Sequence, residues 1–349
     1  ALNIGGLSLG LAGFILIAAY IPDELSYDRF HTHVDRIVRI NTHIRIGDSR
    51  LNMAYTSDVI GPALLAEAPE VEAFARIYNP RGSKLIKRGD RWYNEPRVAN
   101  ADSSFFRVFT FEVLQGDPDR ALTAPNSVVL TRSAAERYFN TVDAVGRTLQ
   151  TNDRGNTAYQ VTAVIDDMPK NSHFHFDFLF SMENANYTDW NNPLGHNFTT
   201  YLLLRRPEDR AAMPQRLEAY IQKYCLPAAQ QHMEIASMEE FRRLGNVFEY
   251  AVIPVKDIHL HANLTGELDA NGNIQYVYIF GAVSLFILLI ACVNFMNLST
   301  ARSANRAKDV GIRKVLGASR AGVAGQFLAE SLLLSVTGTL VAVVIAILA

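Results

Sequence analysis

Cysteine is scarce in this sequence, and no disulfide framework can be built from it. The two cysteines differ in their surroundings, because Cys292 lies in a long apolar run and Cys225 lies in a mixed polar stretch. We therefore do not expect them to pair. At 349 residues the chain is long enough to rely on a hydrophobic core of its own rather than on covalent cross-links.

Motifs that carry nucleotide or catalytic chemistry are also missing. The sequence contains no G-x-x-x-x-G-K-[ST] loop, no G-x-S-x-G elbow, no H-E-x-x-H and no paired-cysteine motif. His173 with His175, and His259 with His261, could each share one face of a strand, but two ligands do not complete a zinc site. We predict no catalytic residue, no cofactor-binding residue, no metal site and no bound cofactor in this chain.

Charged side chains are absent from three long stretches of the sequence. Each stretch contains or borders a run of about 20 apolar residues, the length that a helix needs to cross the hydrocarbon layer of a bilayer. Tyr276 and Tyr278 lie where an interfacial aromatic belt is expected. The predicted transmembrane helices are residues 1–21, 276–298 and 327–349, which makes the lipid bilayer the first expected partner.

A basic stretch separates the second and third predicted spans. Residues 302–320 contain six basic side chains and one acidic side chain. Short loops rich in lysine and arginine stay on the cytoplasmic side, so this stretch is predicted to be cytoplasmic. Residues 22–271 then lie on the other side, in the periplasm of a bacterium, and the chain is a multi-pass protein of the inner (cell) membrane. The basic cluster has no interleaved aromatics, so we predict no nucleic-acid binding.

Between the first two spans the sequence is typical of a large α+β domain. Alternating segments such as "RIVRINTHIRI" and "YQVTAVI" predict strands, and "TRSAAERYF" predicts a helix with Thr131 as its N-cap. We expect the first span to continue as a helix beyond residue 25, and "FEYAVIPVKDIHLH" to form one strand. We also expect two lobes, at about residues 36–180 and 181–262.

The basic stretch has a helical periodicity of its own. On a helix, Arg302, Arg306 and Arg313 fall on one side with Asp309 beside them. The opposite side is mostly apolar and is interrupted by Lys308; its apolar members are Ala301, Ala304, Ile312, Val315 and Leu316. Two interpretations stay open: an amphipathic surface helix that docks a cytoplasmic partner, or a solvated loop that only sets orientation.

The stretch "ACVNFMNLSTARSANRAKDVGIRKVLGASR", followed by "QFLAES", resembles the permeases of MacB/FtsX-like ABC transporters. "PDELSYDRFHTHVDRIVRI" and "MPKNSHFHFDF" resemble the same family, in the form common in Bacteroidetes-type bacteria. The resemblance implies a MacB-like periplasmic core domain between spans one and two. It also implies that the chain is a fragment of a longer permease, covering its first three spans.

The resemblance further implies a mechanism. Such permeases bind a separate cytoplasmic ABC ATPase, form a dimer with a second permease copy, and transmit ATP-driven movement to the periplasmic domain; some work with a periplasmic adaptor. The chain itself would be a non-catalytic subunit serving efflux, export or extraction of a substrate. The residues that match the family's coupling helix are Arg302, Arg306, Lys308, Asp309, Gly311, Arg313, Lys314 and Gly317, and Glu330 is an intramembrane polar candidate.

Two other classes of function compete with this interpretation. A membrane-anchored periplasmic sensor or receptor without transport activity would have a long cytoplasmic signalling region after the second span. Only the short stretch around residues 302–320 separates the second and third spans, which argues against a sensor. A membrane-anchored enzyme would need a convergent acid–base or metal constellation, and the sequence shows none.

Overall fold

The computed structural model describes residues 2–79, 83–153, 155–183, 191–305, 307–317 and 319–349. The chain divides into two units. One, the helical unit, consists of Ala1–Leu25 with Gly272–Ala349, and the other, the sheet unit, is Ser26–Asn271. Arg306 lies outside the described residues.

Eleven α-helices are assigned within the described residues. A 3-10 turn at Pro207–Ala212 and a π-helical turn at Ile221–Cys225 flank the fifth of them. In chain order the helices are α1 (Leu2–Leu25), α2 (Ile60–Glu67), α3 (Phe105–Val108), α4 (Arg132–Phe139), α5 (Met213–Tyr220), α6 (Leu226–Gln230), α7 (Met238–Arg243), α8 (Val255–His261), α9 (Ile274–Asn305), α10 (Ala307–Val315) and α11 (Arg320–Leu348).

The strands of the sheet unit form one sheet, which has thirteen strands among the described residues. They are β1 (Ile37–Ile46), β2 (Ser49–Met53), β3 (Val71–Tyr78), β4 (Lys84–Arg88), β5 (Arg91–Glu95), β6 (Val98–Ala101), β7 (Val113–Gly116), β8 (Ser127–Thr131), β9 (Thr148–Thr151), β10 (Ala158–Ile165), β11 (Phe178–Ser181), β12 (Thr199–Leu204) and β13 (Val247–Pro254). Their spatial order is β13-β1-β12-β3-β6-β11-β8-β10-β9-β4-β5, with β2 paired to β1 and β7 paired to β10.

Most strand pairs are antiparallel, as the sequence predicted, but β10 with β8 and β11 with β6 are parallel. Helices cover both faces of the central strands. Ile37 and Tyr201 belong to a buried cluster with α3 and α8, whereas Val38 and Ile40 belong to a cluster with α2 and α5. Successive side chains of a strand point to opposite faces, so β1 is buried on both sides. A third cluster packs α4 against β8, β10 and β11.

Sequence interpretation is confirmed for many elements of the sheet unit. The predicted strands at "RIVRINTHIRI" and "YQVTAVI" are β1 and β10. The predicted N-cap is also found, because the Thr131 side chain accepts a hydrogen bond from the backbone N–H of Ala134. A side-chain oxygen at this position satisfies one of the N–H groups that a helix leaves unpaired.

Three local predictions are wrong. The first helix does not continue beyond Leu25, because Asp28 adopts a left-handed backbone conformation (φ +59°) and bonds to distant residues. "FEYAVIPVKDIHLH" is not one strand: β13 ends at Pro254 and α8 begins at Val255. Proline has no N–H to donate and therefore ends the ladder. His173 and His175 are not in a strand, since β11 begins at Phe178.

The structure also does not separate the two predicted lobes at residue 180. Strand β12 pairs with both β1 and β3, and β13 pairs with the other edge of β1. Strands from 181–262 are thus interleaved with strands from the first part of the domain. The buried clusters divide the sheet unit differently, with the segment from β4 to β11 at one end of the sheet and β1, β12 and β13 at the other.

Candidate functional site

The predicted coupling segment joins two long helices. Arg302 lies in the last turns of α9, and Lys308, Asp309, Gly311, Arg313 and Lys314 lie in α10. Gly317 follows with φ +91°, a left-handed conformation that glycine adopts without a steric penalty and that commonly ends helices. Ser319 then caps α11 by accepting a hydrogen bond from the N–H of Gly322 at 3.1 Å. The structure therefore places a separate short helix between the second and third apolar helices.

Few of the predicted coupling residues have described side-chain contacts. The Arg313 Nη1 donates a hydrogen bond to Oε1 of Gln326 in α11 at 2.7 Å, which links α10 to the start of the next helix. A side chain at Gly311 would meet nothing within 4 Å. Ile312, Val315 and Leu316, which the helical projection puts on the apolar side, are exposed by 53%, 89% and 80%. These three members of the apolar side are thus exposed within the described chain.

The three apolar helices pack through small residues. A Cβ on Gly10 would lie 2.6 Å from the Cβ of Ala291, so α1 and α9 approach more closely than larger side chains allow. The Ser8 hydroxyl donates to the carbonyl of Gly338 in α11 at 2.9 Å. Small residues and polar cross-links of this kind are typical of helix contacts inside membranes. Glu330 lies in α11, partly buried and with an interaction partner, and its mechanistic role stays a prediction.

Helices long and apolar enough to cross a membrane are found at all three predicted places. They are Gly5–Leu25, Ile274–Ala301 and Arg320–Leu348. The second and third begin earlier than the sequence indicated, at residues 274 and 320 instead of 276 and 327, because helical geometry continues through the polar flanks. The sheet unit is inserted in the chain between the first and second of these helices.

The histidines that suggested a metal take different roles. His173 is buried, with Nδ1 2.7 Å from Oδ1 of Asp28 and Nε2 2.7 Å from the hydroxyl of Tyr201. His259 is buried in α8 and stacks on Tyr27, with ring centroids 3.4 Å apart. Within the described ranges, no three histidine, cysteine, aspartate or glutamate side chains could hold a metal ion together.

Sequence reasoning missed a mostly apolar cavity of about 200 Å³ in the sheet unit. It lies between β1 and β13 on one side and α6 and α7 on the other. His196 and Cys225 are the titratable side chains among its lining residues. Burial lowers the pKa of His196 and raises the pKa of the Cys225 thiol to about 12, so both side chains are neutral near pH 7. No sequence signal pointed to this cavity, because its lining comes from segments that are far apart in the chain.

Comparisons with known proteins agree with this architecture. Residues 1–220 match the MacB-like periplasmic core domain, and residues 281–349 match the FtsX-like permease C-terminal family. A domain of a protein described as a permease, from Porphyromonas gingivalis, superposes with a TM-score of 0.53 and 23% identity over 72% of this chain and all of that one. The periplasmic region of MacB from Actinobacillus actinomycetemcomitans gives a TM-score of 0.41 with 14% identity, over 64% of this chain and 90% of that one.

One curated sequence relative is the uncharacterized ABC transporter permease YknZ of Bacillus subtilis (strain 168), 37% identical over 65 residues. That match spans 19% of this chain and 16% of the relative. The fold is that of a membrane protein with three apolar helices and a large α+β periplasmic domain inserted after the first. The chain belongs to the MacB/FtsX-like ABC transporter permeases.

Proposed function

We propose that this permease couples ATP hydrolysis by a separate cytoplasmic ATPase to conformational change of its periplasmic domain, in the bacterial inner membrane, for export or extraction of a substrate. Membership of an ABC permease family implies an ATPase partner. The observation that carries the proposal is α10, a short helix between two span-length helices, in the most basic stretch of the chain.

The geometry of α10 supports docking better than a loop that only sets topology. A topology signal needs positive charge near the membrane but neither a helix nor an exposed apolar side. Here both are present, and Arg313 connects the helix to Gln326 of α11. A partner that moves α10 would therefore act on α11 through a hydrogen bond as well as through the short turn at Gly317.

The remaining parts of the proposal follow from the family resemblance. The permease is proposed to act as a dimer with a second copy, and to work with a periplasmic adaptor. The chain is proposed to be non-catalytic, with ATP bound by the partner and no cofactor of its own.

The test is co-purification of the full-length permease with the ABC ATPase that is encoded by the neighbouring gene. One variant changes Arg302, Arg306 and Arg313 to glutamate, and a matched control changes the same three residues to lysine. We expect the amount of co-eluted ATPase to fall at least tenfold for the glutamate variant and to stay at the wild-type level for the lysine variant, because docking depends on positive charge. Protease digestion of spheroplasts shows whether each variant keeps its orientation, because a periplasmic domain is cleaved there and an inverted one is protected.

Retention of the ATPase by a correctly inserted glutamate variant would show that these arginines only set topology. Absence of the ATPase from the wild-type preparation would overturn the coupling proposal and favour a sensor without transport activity.

A further inference from the structure

Two segments join the sheet unit to its neighbouring apolar helices. The leading segment, residues 26–36, connects α1 to β1, and the trailing segment, residues 262–271, connects α8 to the start of the helical unit before α9. Because the chain is continuous, a displacement of α1 or α9 reaches the sheet unit first through these segments. How the two segments are held therefore decides whether such displacements enter the sheet unit together.

A loop at residues 169–175, here called the histidine loop, binds the leading segment. The backbone N–H of Asp28 donates to the carbonyl of Asn171 at 2.8 Å, and the Asn171 amide donates to the carbonyl of Ser26 at 3.1 Å. Asp28 Oδ1 in turn accepts hydrogen bonds from the backbone N–H of His173 at 3.1 Å and from its Nδ1 at 2.7 Å. Asp28 is fully buried, so these bonds replace its contact with water.

The same loop binds the trailing segment through its second histidine. His175 Nδ1 lies 2.7 Å from Oδ2 of Asp269, and its Nε2 lies 2.9 Å from the carbonyl oxygen of Pro169. A carboxylate and a carbonyl only accept hydrogen bonds, so both ring nitrogens must carry a proton to make both bonds. The geometry therefore requires the charged imidazolium form of His175.

A second, deeper connection runs between the two segments. His173 Nε2 lies 2.7 Å from the hydroxyl of Tyr201 on β12, and Tyr201 also interacts with the guanidinium of Arg39 on β1. Arg39 is completely buried and binds the trailing segment, with Nη2 2.8 Å from Oε1 of Glu267. Hydrogen bonds thus link Asp28 to Tyr201 through His173, and Arg39 to Glu267, while Tyr201 and Arg39 lie opposite each other on two neighbouring strands.

We propose that His173 and His175 are positioning residues that tie the leading and trailing segments to one loop, so that α1 and α9 act on the sheet unit together. The proposal deepens and rests on the proposed coupling function. It also explains the pair of histidines two residues apart: one faces the buried interior toward Asp28, and the other faces Asp269, which is partly exposed.

The His175 half of the tie depends on pH. Hydrogen bonding to Asp269 raises the pKa of His175, and Arg97, which precedes β6, opposes protonation. The cavity beside His175 is also lined by Arg137 of α4, Asp167 and Asp177. Arg137 pairs with Asp177 at 2.8 Å, and Asp167 accepts hydrogen bonds from Ser133, which leaves Asp269 as the carboxylate bonded to the imidazole.

The sign of the pH effect follows from the raised pKa. The tie is complete below the ordinary histidine pKa of about 6.5, and it is lost as the pH rises through the raised value. Over this pH range the wild-type protein should lose the charged hydrogen bond between His175 and Asp269. A protein without the Asp269 carboxylate should show no such change.

The test measures the distance between the two segments with spin labels at Arg29→Cys and Ala270→Cys. Both sites are exposed, native Cys225 is buried, and Cys292 is changed to serine. The full-length permease is used, with and without its ATPase and ATP. For the wild type we expect a narrow distance distribution at pH 6 that does not change with ATP and that broadens toward pH 9.

Three variants remove parts of the tie. His173→Gln loses the bond to Asp28, His175→Gln loses the charged bond to Asp269, and Asp269→Asn removes only a partly exposed charge and is the variant least expected to affect folding. We expect each to broaden the distribution at least twofold at pH 6, and the two that affect the His175 pair to lose the pH dependence. The matched control Glu218→Gln breaks a half-exposed ion pair with Arg242 elsewhere in the sheet unit. It should change neither the width of the distance distribution nor its dependence on pH.

On addition of ATP, the distance between the two spin labels should change in the variants but not in the wild type. ATPase binding and turnover in the variants should stay within about twofold of the wild-type values. A wild type that is independent of pH, or Asp269→Asn distributions that match the wild type under every condition, would overturn the tie. Failure of the ATPase to bind would instead overturn the proposed function, because the pH-dependent comparison needs no ATPase.

Discussion

The helical unit and the sheet unit keep their apolar side chains from water in different ways. In the most apolar windows of the three long helices, only 17%, 17% and 11% of the residues are buried within the protein. Most of their leucines, valines and isoleucines therefore face outward, where a bilayer or another subunit covers them. The sheet unit buries its apolar residues in three clusters of its own. Its stability can come from its own packing, whereas that of the helical unit depends on its surroundings.

The two units also differ in the kind of polar contact that they contain. The sheet unit encloses ion pairs such as Arg76 with Asp102 and Arg39 with Glu267, in which each charge has a partner. In the helical unit, glycine, alanine and serine make close contacts between the long helices, for example at Gly10 and Ser8. The two units should therefore fail for different reasons when single residues are changed.

The largest effect is expected at the buried pair in the sheet unit. Asp102 accepts two hydrogen bonds from the Arg76 guanidinium, at 2.8 and 2.9 Å, and Asp102→Ala leaves that cation buried without its counterion. We expect the free energy of unfolding to fall by about 3–5 kcal/mol. Urea denaturation followed by tryptophan fluorescence measures this, since both tryptophans, Trp92 and Trp190, lie within residues 26–271.

The matched control for this prediction is Glu218→Ala, which leaves Arg242 near the surface. Exposed pairs contribute about 0–1 kcal/mol, so the control should have a small effect. Equal effects of the two substitutions would contradict the distinction between buried and surface charge in the sheet unit.

A pH effect of intermediate size is expected at His31. Burial lowers the pKa of His31 to about 4; Asp28 opposes this with a smaller effect, and His173 adds to it. Its neutral form is the folded one, so its contribution is complete above the unfolded pKa of about 6.5 and is lost as the pH falls toward 4. Between pH 7 and pH 4 this amounts to about 3 kcal/mol.

The variant His31→Asn tests this assignment. Its side-chain oxygen can still accept the hydrogen bond from the N–H of Thr110 that His31 Nδ1 accepts at 3.2 Å, but it does not titrate. The difference in unfolding free energy between wild type and variant should change with pH in the stated window. A constant difference from pH 7 to pH 4 would show that His31 is not protonated on unfolding.

The smallest effect is expected in the helical unit. Gly10→Leu places a side chain against Ala291, where a Cβ alone would approach to 2.6 Å, whereas a Cβ on Gly5, the site of the control Gly5→Leu, would meet nothing within 4 Å. Overpacking of this kind costs about 1–3 kcal/mol. Thermal denaturation in detergent should show a lower midpoint for Gly10→Leu than for Gly5→Leu, with unchanged tryptophan-monitored unfolding of the sheet unit. Equal midpoints would remove the close contact between α1 and α9 as a source of stability.

Local sequence patterns were sufficient where one short segment carried the information. The strand at "YQVTAVI" and the N-cap at Thr131 were predicted because alternation and capping involve residues only a few positions apart. The basic helix at residues 307–315 was one of two open interpretations, and the periodicity alone did not decide between it and a solvated loop. Its role in docking an ATPase stays a prediction.

Predictions failed where distant segments decide the conformation. The sequence predicted a longer first helix, but Asp28 forms hydrogen bonds with a residue about 145 positions away. The lobe boundary failed for the same kind of reason, because β12 inserts between β1 and β3. The residue that bonds to Asp28 and the strands that pair with β12 are both distant in sequence, so a local pattern cannot reveal them.

The sequence by itself determined the number of apolar helices, the basic segment between two of them and the α+β character of the domain, because each follows from composition or from periodicity within about 20 residues. Only the tertiary structure decided the order of the strands, the cavity lined by His196 and Cys225, and the joining of Asp28 and Asp269 on one histidine loop. Those features require contacts between residues far apart in the chain, and such contacts exist only when the whole domain has folded.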